Sequence, residues 1–289
     1  MKIRIQVVGG LGNQLFIWNA AHHLQTQFNS QIDLVFIEDD NWRSDRRLEL
    51  ERISRHCEHS ISIFTSKKLG LLFKVLDKYK LEQIRASRWI LQSIGIYNFE
   101  NPVSELSFNW GKPRLIRSYF QRTNLVDLTW DTWKSEFEKT LKDSEVNRLP
   151  LKSQFNITHV RRGDSLSLAS TFGVLEDSYF ENQENGNIDT YVCTDDPQLS
   201  KSIEKIIQPA KIFTPNEMDA WQTLKLFCEA ANFLGSNSTM SWWACYFRIK
   251  NGRSDTRLPS PWTRRDLGYE TALYINGVRY KEAKYVDGE

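Results

Sequence analysis

Three polar turns hold the residues whose types and spacing could do chemistry. The first, Gly9-Gly10-Leu11-Gly12-Asn13-Gln14, follows an alternating apolar run over residues 3–8. A glycine turn entering a helix offers backbone N–H groups to an anion, and Asn13 and Gln14 add two amides there. Gly10-x-Gly12 opens like a dinucleotide fingerprint. However, Leu15 stands where the third glycine belongs, and the nearest acidic cluster follows Gly12 by about 26 residues where about 20 is usual. That disfavours a nicotinamide dehydrogenase and leaves two readings, an anion-binding turn or a tight structural one. The second turn, Arg161-Arg162-Gly163-Asp164, ends the β-rich run 155–160. If the strand continues through it, His159 and Arg161 share one face and Arg162 the other. A guanidinium at a strand end grips a phosphate bidentately at any ordinary pH. Arg162 and Asp164 then pair to brace the loop, although the same run reads also as a surface ion-pair cluster and His159 as a core histidine. The third turn, Ser236-Asn237-Ser238-Thr239, opens a helix, where hydroxyl, amide and backbone donors can cradle a diphosphate or simply cap the helix.

The elements that must position these turns are α/β in character. Residues 3–8 and 32–37 read as strands around a helix whose N-cap is placed at Asn13, the start of a βαβ unit and a parallel sheet. A second start follows Pro150, with strands at 155–160, 190–193 and 211–213. Thr214-Pro215-Asn216-Glu217 has the form of a capping box with Pro at the first helical position. A last helix is expected over 240–248. Residues 43–150 read mostly as helices with long connections and carry no interpretable motif. The expected division is therefore 1–150 and 151–289.

Composition excludes other classes. Of 289 residues, 40% are apolar and 26% charged, which rules out a disordered or low-complexity chain. A formal net charge of +2 leaves no electrostatic footprint for nucleic acid. No apolar run approaches the roughly 20 residues needed to span a bilayer, and the charged N-terminus does not read as a signal peptide. Cys57, Cys193, Cys228 and Cys245 are too scattered for a metal knuckle or a disulfide framework, so reduced thiols in a cytoplasmic protein are expected. Arg248, Lys250, Arg253, Arg257, Arg264 and Arg265 make the C-terminal part locally basic. This reads either as a solvated face or as an attraction to anionic lipid, so membrane contact is at most peripheral, at the inner membrane surface.

Together the turns resemble one family. Gly9-Gly10-Leu11-Gly12-Asn13-Gln14-Leu15-Phe16 is similar to the N-terminal signature of the α-1,2-fucosyltransferases, glycosyltransferase family 11. His159-Val160-Arg161-Arg162-Gly163-Asp164 resembles the H-x-R-R-x-D motif common to α-1,2-, α-1,6- and protein O-fucosyltransferases. Asn237-Ser238-Thr239-Met240-Ser241-Trp242-Trp243-Ala244 resembles the family's N-S-[ST]-F-S-W-W-[GA] stretch, and Thr194-Asp195-Asp196 its S-D-D turn. Departures are Met240 for the usual Phe, Ser165 for an aromatic, and Trp221 near an acidic position whose nearest acid here is Asp219.

The resemblance implies a GT-B fold of two facing Rossmann-like domains, an acceptor-side N-terminal one and a GDP-fucose-binding C-terminal one. The implied reaction is inverting transfer of L-fucose from GDP-β-L-fucose to the 2-hydroxyl of a galactoside, with no metal and no cofactor. The acceptor is then a galactose-terminated glycan or a lipid-linked oligosaccharide. Arg161 is assigned to the β-phosphate and Asn13 and His159 to catalysis. Gly12, Arg162, Asp164, Asp195, Asp196, Asn237, Ser238, Thr239 and Ser241 complete the donor site. For the proton of the acceptor hydroxyl, His159, Asp39, Asp40 and the departing diphosphate itself are the candidates. Linkage to another hydroxyl, and a non-catalytic nucleotide- or glycan-binding module, stay open.

Overall fold

The computed structural model describes residues 2–37, 47–78, 84–99, 101–108, 112–146, 154–163, 170, 172–181, 188–196, 201–265 and 267–286. It divides into two compact α/β units, Met1–Thr140 and Leu141–Glu289. The expected division at 150 lies outside the described residues. Two Rossmann-like units in series are the composition that the GT-B expectation requires.

In the first unit β1 (Lys2–Val7) alternates as read, burying Ile3, Ile5 and Val7. It pairs in parallel with β2 (Gln31–Phe36), and β3 (Ile61–Thr65), β4 (Ile96–Asn98) and β5 (Leu115–Arg117) complete a parallel sheet of order β3-β2-β1-β5-β4. These last three strands correct the mostly helical reading of residues 43–150. Two of them are only three residues long and β3 is half exposed, so neither a period of two nor an apolar run marks them. Helix α1 (Leu11–Phe28) buries nearly all its faces, including Phe16 and Trp18, and ends on Asn29 in the left-handed region. Helix α5 (Thr123–Asp143) covers it. Asn19 of α1 donates to the Leu125 carbonyl at 3.2 Å, and its Oδ1 accepts from Trp133 Nε1 at 2.9 Å. Short helices α2 (Leu50–Ser54), α3 (Lys67–Lys78) and α4 (Arg85–Ser93) lie between.

The second unit has a six-stranded parallel sheet, with β6 (Asn156–Val160), β7 (Thr190–Thr194), β8 (Lys211–Phe213), β9 (Phe233–Leu234), β10 (Thr256–Ser260) and β11 (Arg279–Glu282) in the order β11-β10-β9-β6-β7-β8. Strands β6 and β7 are buried throughout, as central parallel strands are. A short helix α6 (Lys201–Ile207) supplies Ile203 and Ile207 to the core beside Val160, Val192 and Leu234. Helix α7 (Ala220–Glu229) begins later than the sequence suggests. Its capping box is Asp219 with Gln222, while the Glu217 carboxylate turns back to the Thr214 N–H and to Lys211 Nζ at 2.8 Å. The same local chemistry thus makes a turn at 214–217 and a helix start five residues on. Helix α8 (Thr239–Lys250) carries the fully buried Arg248. Its guanidinium donates to the carbonyls of Phe227, Cys228, Ala230, Ala231 and Asp255 and to Thr256 Oγ1, gathering the carbonyl end of α7. A last short helix is α9 (Tyr269–Ala272). All four cysteines are free thiols. Among the described residues no helix is long and apolar enough to cross a membrane.

Candidate functional site

In the second unit the chain leaves β6 toward β7 and β8, then returns to lay β9, β10 and β11 on the other side. Open α/β sheets bind ligands in the crevice at the carboxyl ends of their strands where the order reverses, here between β6 and β9. The turns 161–163 and 235–238 follow those two strand ends. The register pairs Val160 with Thr194, which sets Arg161 level with Asp195.

Arg161 Nε lies 3.9 Å from Asp195 Oδ2, and its Nη1 donates to Ser238 Oγ at 3.4 Å. Asp195 is itself pinned, since its Oδ1 accepts from the N–H of Arg162 at 2.7 Å and of Gly163 at 3.0 Å. Gly163 keeps the approach close, since a Cβ would stand 3.0 Å from the Asp195 carbonyl and carboxylate, tighter than most such contacts. Ser238 caps α8, its Oγ accepting from Met240 N at 3.3 Å, and Thr239 is the first helical residue, where N–H groups have no intrahelical acceptor. A guanidinium, a capped helix N-terminus and a hydroxyl therefore converge on one strand-end crevice. That set can hold a polyanion and stabilise charge growing on it.

Other expected residues do structural work. Arg162 pairs with Asp177 and reaches the Leu175 carbonyl; Asp164, its expected partner, lies outside the described residues, as do Asp39 and Asp40. Asp177, in a 3-10 turn over Asp177–Phe180, had no signal in the sequence because its partner stands fifteen residues away. His159 is buried, with Nδ1 2.7 Å from Ser241 Oγ and 3.1 Å from Ser236 Oγ, and its ring leans on Phe227 at 4.8 Å. Burial, aided by the Arg161 charge, pushes its pKa down to about 3, so the imidazole is neutral at physiological pH. The same geometry fits a satisfied core histidine. Ser241 is wholly buried and also accepts from the Ser236 N–H at 3.1 Å, so it shapes the turn from beneath. Asn237 donates to the Gly173 carbonyl at 3.3 Å, and the Asp196 N–H donates to Thr194 Oγ1 at 3.0 Å. Tyr179 Oη donates to the Gly235 carbonyl at 2.8 Å.

The first unit has its own reversal, between β1 and β5. Gly9 adopts a φ of +77° and Gly10 is the N-cap, three residues before the expected Asn13 cap, and Gly12 lies buried in the first turn of α1. Asn13 packs against Gly9, where a Cβ would stand 2.4 Å from its Nδ2, and its Oδ1 accepts from Gln121 Nε2 at 2.9 Å. Phe120, buried before Gln121, holds a φ of +54°, a left-handed conformation rare for a bulky residue and common near functional sites. Gln14, expected to add a second amide for an anion, is fully buried. Its Nε2 donates to the carbonyls of Gly9 and Arg47, both at 2.8 Å, and its Oε1 accepts from Glu49 N at 2.9 Å. Neither Gln121 nor Phe120 belongs to any sequence motif; only the stretch after β5 brings Gln121 to Asn13.

No protein-family model matches the chain. It is similar to an O-antigen biosynthesis glycosyltransferase, WbnK, of Escherichia coli, being 26% identical over 271 residues that cover 82% of this chain and 87% of the relative. Among solved structures it superposes on a glycosyl transferase family 9 protein from Veillonella parvula with a TM-score of 0.50 at 8% identity, covering 97% of this chain and 86% of that one. It also superposes on the fucosyltransferase NodZ from Bradyrhizobium with a TM-score of 0.43 at 11% identity, covering 86% and 94%. The chain is glycosyltransferase-like in sequence and in fold.

Proposed function

We propose that the chain is an inverting glycosyltransferase that moves L-fucose from GDP-β-L-fucose to the 2-hydroxyl of a galactoside. The observation that carries this is the crevice between β6 and β9. There Arg161, fixed by Asp195 and beside Ser238, meets the N-terminus of α8. A departing nucleoside diphosphate gains negative charge as the glycosidic bond breaks. Without a metal that charge must fall on preorganised cationic and N–H donors. Arg161 takes the β-phosphate, with Ser238 and Thr239 assisting. Asp195 holds the turn that aims Arg161 and caps the N–H groups of Arg162 and Gly163, which gives it work other than metal ligation. Asn13, on the polar turn of the first unit, has a supporting role in turnover. The fucose donor rests on the motif resemblances together and the 1,2 linkage on the Gly9–Phe16 and Asn237–Ala244 stretches, and the similarity to an O-antigen glycosyltransferase supports a glycan or lipid-linked acceptor.

A GDP-release assay with GDP-fucose against a galactoside panel, with linkage analysis of the product, tests this. The expected product carries α-1,2-linked fucose. A 1,6-linked product would reassign the linkage. GDP-fucose binding with no transfer to any acceptor would make the chain a binding module.

A further inference from the structure

Away from the polar turns, the first unit holds a group of side chains that this function does not use. His22 of α1, Glu136 of α5 and His59, just before β3, bring one imidazole nitrogen each and a carboxylate oxygen within 4.8 Å of one another. His22 and Glu136 are 2% and 4% exposed, while His59 is at the surface. His22 Nε2 lies 3.3 Å from Glu136 Oε2, yet it makes no hydrogen bond to that oxygen or to any other atom among the described residues. A buried ring nitrogen therefore lies beside a buried carboxylate without a hydrogen bond to it. A buried carboxylate demands a compensating positive charge, and among the described residues only His22 stands within ion-pair reach of Glu136.

A divalent cation meets both requirements. Bonds of about 2.0–2.2 Å to imidazole nitrogen and carboxylate oxygen put neighbouring ligand atoms of a tetrahedral zinc about 3.3 Å apart, the separation found between His22 and Glu136. The surroundings also hold the ligands in place. Trp18 Nε1 donates to Glu136 Oε2 at 3.0 Å and orients the carboxylate. The His22 ring packs on Trp18 at 5.4 Å in a T-shaped contact, stacks on Trp133 at 6.2 Å, and lies perpendicular to the His59 ring at 5.0 Å.

We infer that His22, His59 and Glu136 form a binding site for a zinc-type divalent cation, with water in the fourth position, that ties α1, α5 and the segment before β3 together. Its role is structural. His22 lies nine residues along α1 from Asn13, about 13 Å at the helical rise, so the cation is separate from the proposed transfer chemistry, on which the inference does not rest.

The test is calorimetric titration of the chelator-treated full chain with Zn²⁺, with Co²⁺ as a spectroscopic probe and thermal melts alongside. The chain is expected to bind one equivalent, to show the visible bands of tetrahedral Co²⁺, and to melt roughly 5 °C or more higher at zinc a hundredfold above its Kd. His59→Ala alters a surface residue, so the fold persists while zinc binding and the melting shift are lost. Cys57→Ser keeps both, because the half-buried Cys57 side chain lies beside Glu136, where a serine hydroxyl can still hydrogen-bond, and is not among the ligands. Absence of binding by the parent chain, binding retained in His59→Ala, or binding lost in Cys57→Ser would each overturn the assignment.

Discussion

Replacing Arg161 by Lys separates a phosphate clamp from a surface ion pair. The Arg161 side chain is 25% exposed and its partner Asp195 32%, with Nε and Oδ2 3.9 Å apart. A pair that wet and that long contributes at most about 1 kcal/mol to folding, so its loss lowers the melting temperature by about 2–4 °C. Catalysis is a different matter. The guanidinium presents five donors in a rigid fork, and lysine keeps the charge but offers three rotating ones. A planar guanidinium can meet a diphosphate in two-point contact, which a lysine ammonium cannot. Losing one preorganised donor to a developing oxyanion costs on the order of 10²–10³ in rate, about 2.7–4 kcal/mol. Arg161→Lys should therefore lose at least a hundredfold in kcat while remaining nearly as stable as the parent. Steady-state GDP release from GDP-fucose, with circular dichroism melts on the same samples, measures both quantities. A well-folded Arg161→Lys enzyme with near-parental turnover would refute the clamp, and an unfolded one would show that the ion pair carries the structure.

Asn13→Asp keeps the acceptor for Gln121 and sets a favourable charge in the first turn of α1; it should melt like the parent but turn over at least tenfold more slowly, and an unchanged rate would make the first signature a structural turn. Transfer assayed well below the melting temperature should persist in excess EDTA. Complete loss restored by Mg²⁺ or Mn²⁺ would return Asp195 and Asp196 to a metal site. His159 is neutral when folded, with a pKa near 3 against about 6.5 unfolded, so below pH 6.5 the unfolded chain binds the extra proton and stability falls with pH. The loss between pH 7 and pH 5 is about 2 kcal/mol, read from denaturant midpoints. In His159→Asn that loss should disappear, and an equal loss there would assign the pH dependence to other groups.

The parts of this molecule that were readable from sequence are those whose physics is local. Strands β1, β2, β6, β7 and β8 announce themselves by alternation or by short apolar runs between turns, and α8 by its hydroxyl-rich start. Strands β4 and β5 are three residues each and exist because β1 leaves an open edge for them, a fact about the whole sheet. The site divides the same way. Arg161 and Ser238 follow from strand-end and helix-start chemistry. The partnerships of Arg162 with Asp177 and of Asn13 with Gln121 join residues that only the assembled sheets bring together. Thr214-Pro215-Asn216-Glu217 shows the reverse failure, a sound local pattern spent on a turn because Lys211 claims Glu217 first.

Gln14 has a consequence for how the first unit is held together. Its amide fastens the backbone of Arg47 and Glu49 to the turn at Gly9, while β2 fixes the chain up to Phe36. A single buried side chain of α1 thus decides where the chain re-enters the first unit at Arg47 and Glu49. Closing a connection of twice the length between fixed ends costs only about 0.6 kcal/mol more, so what matters is that the ends are fixed. Gln14→Leu leaves the carbonyls of Gly9 and Arg47 and the N–H of Glu49 without that amide. It should lower the melting temperature, and a parental melt would show that the anchor holds nothing.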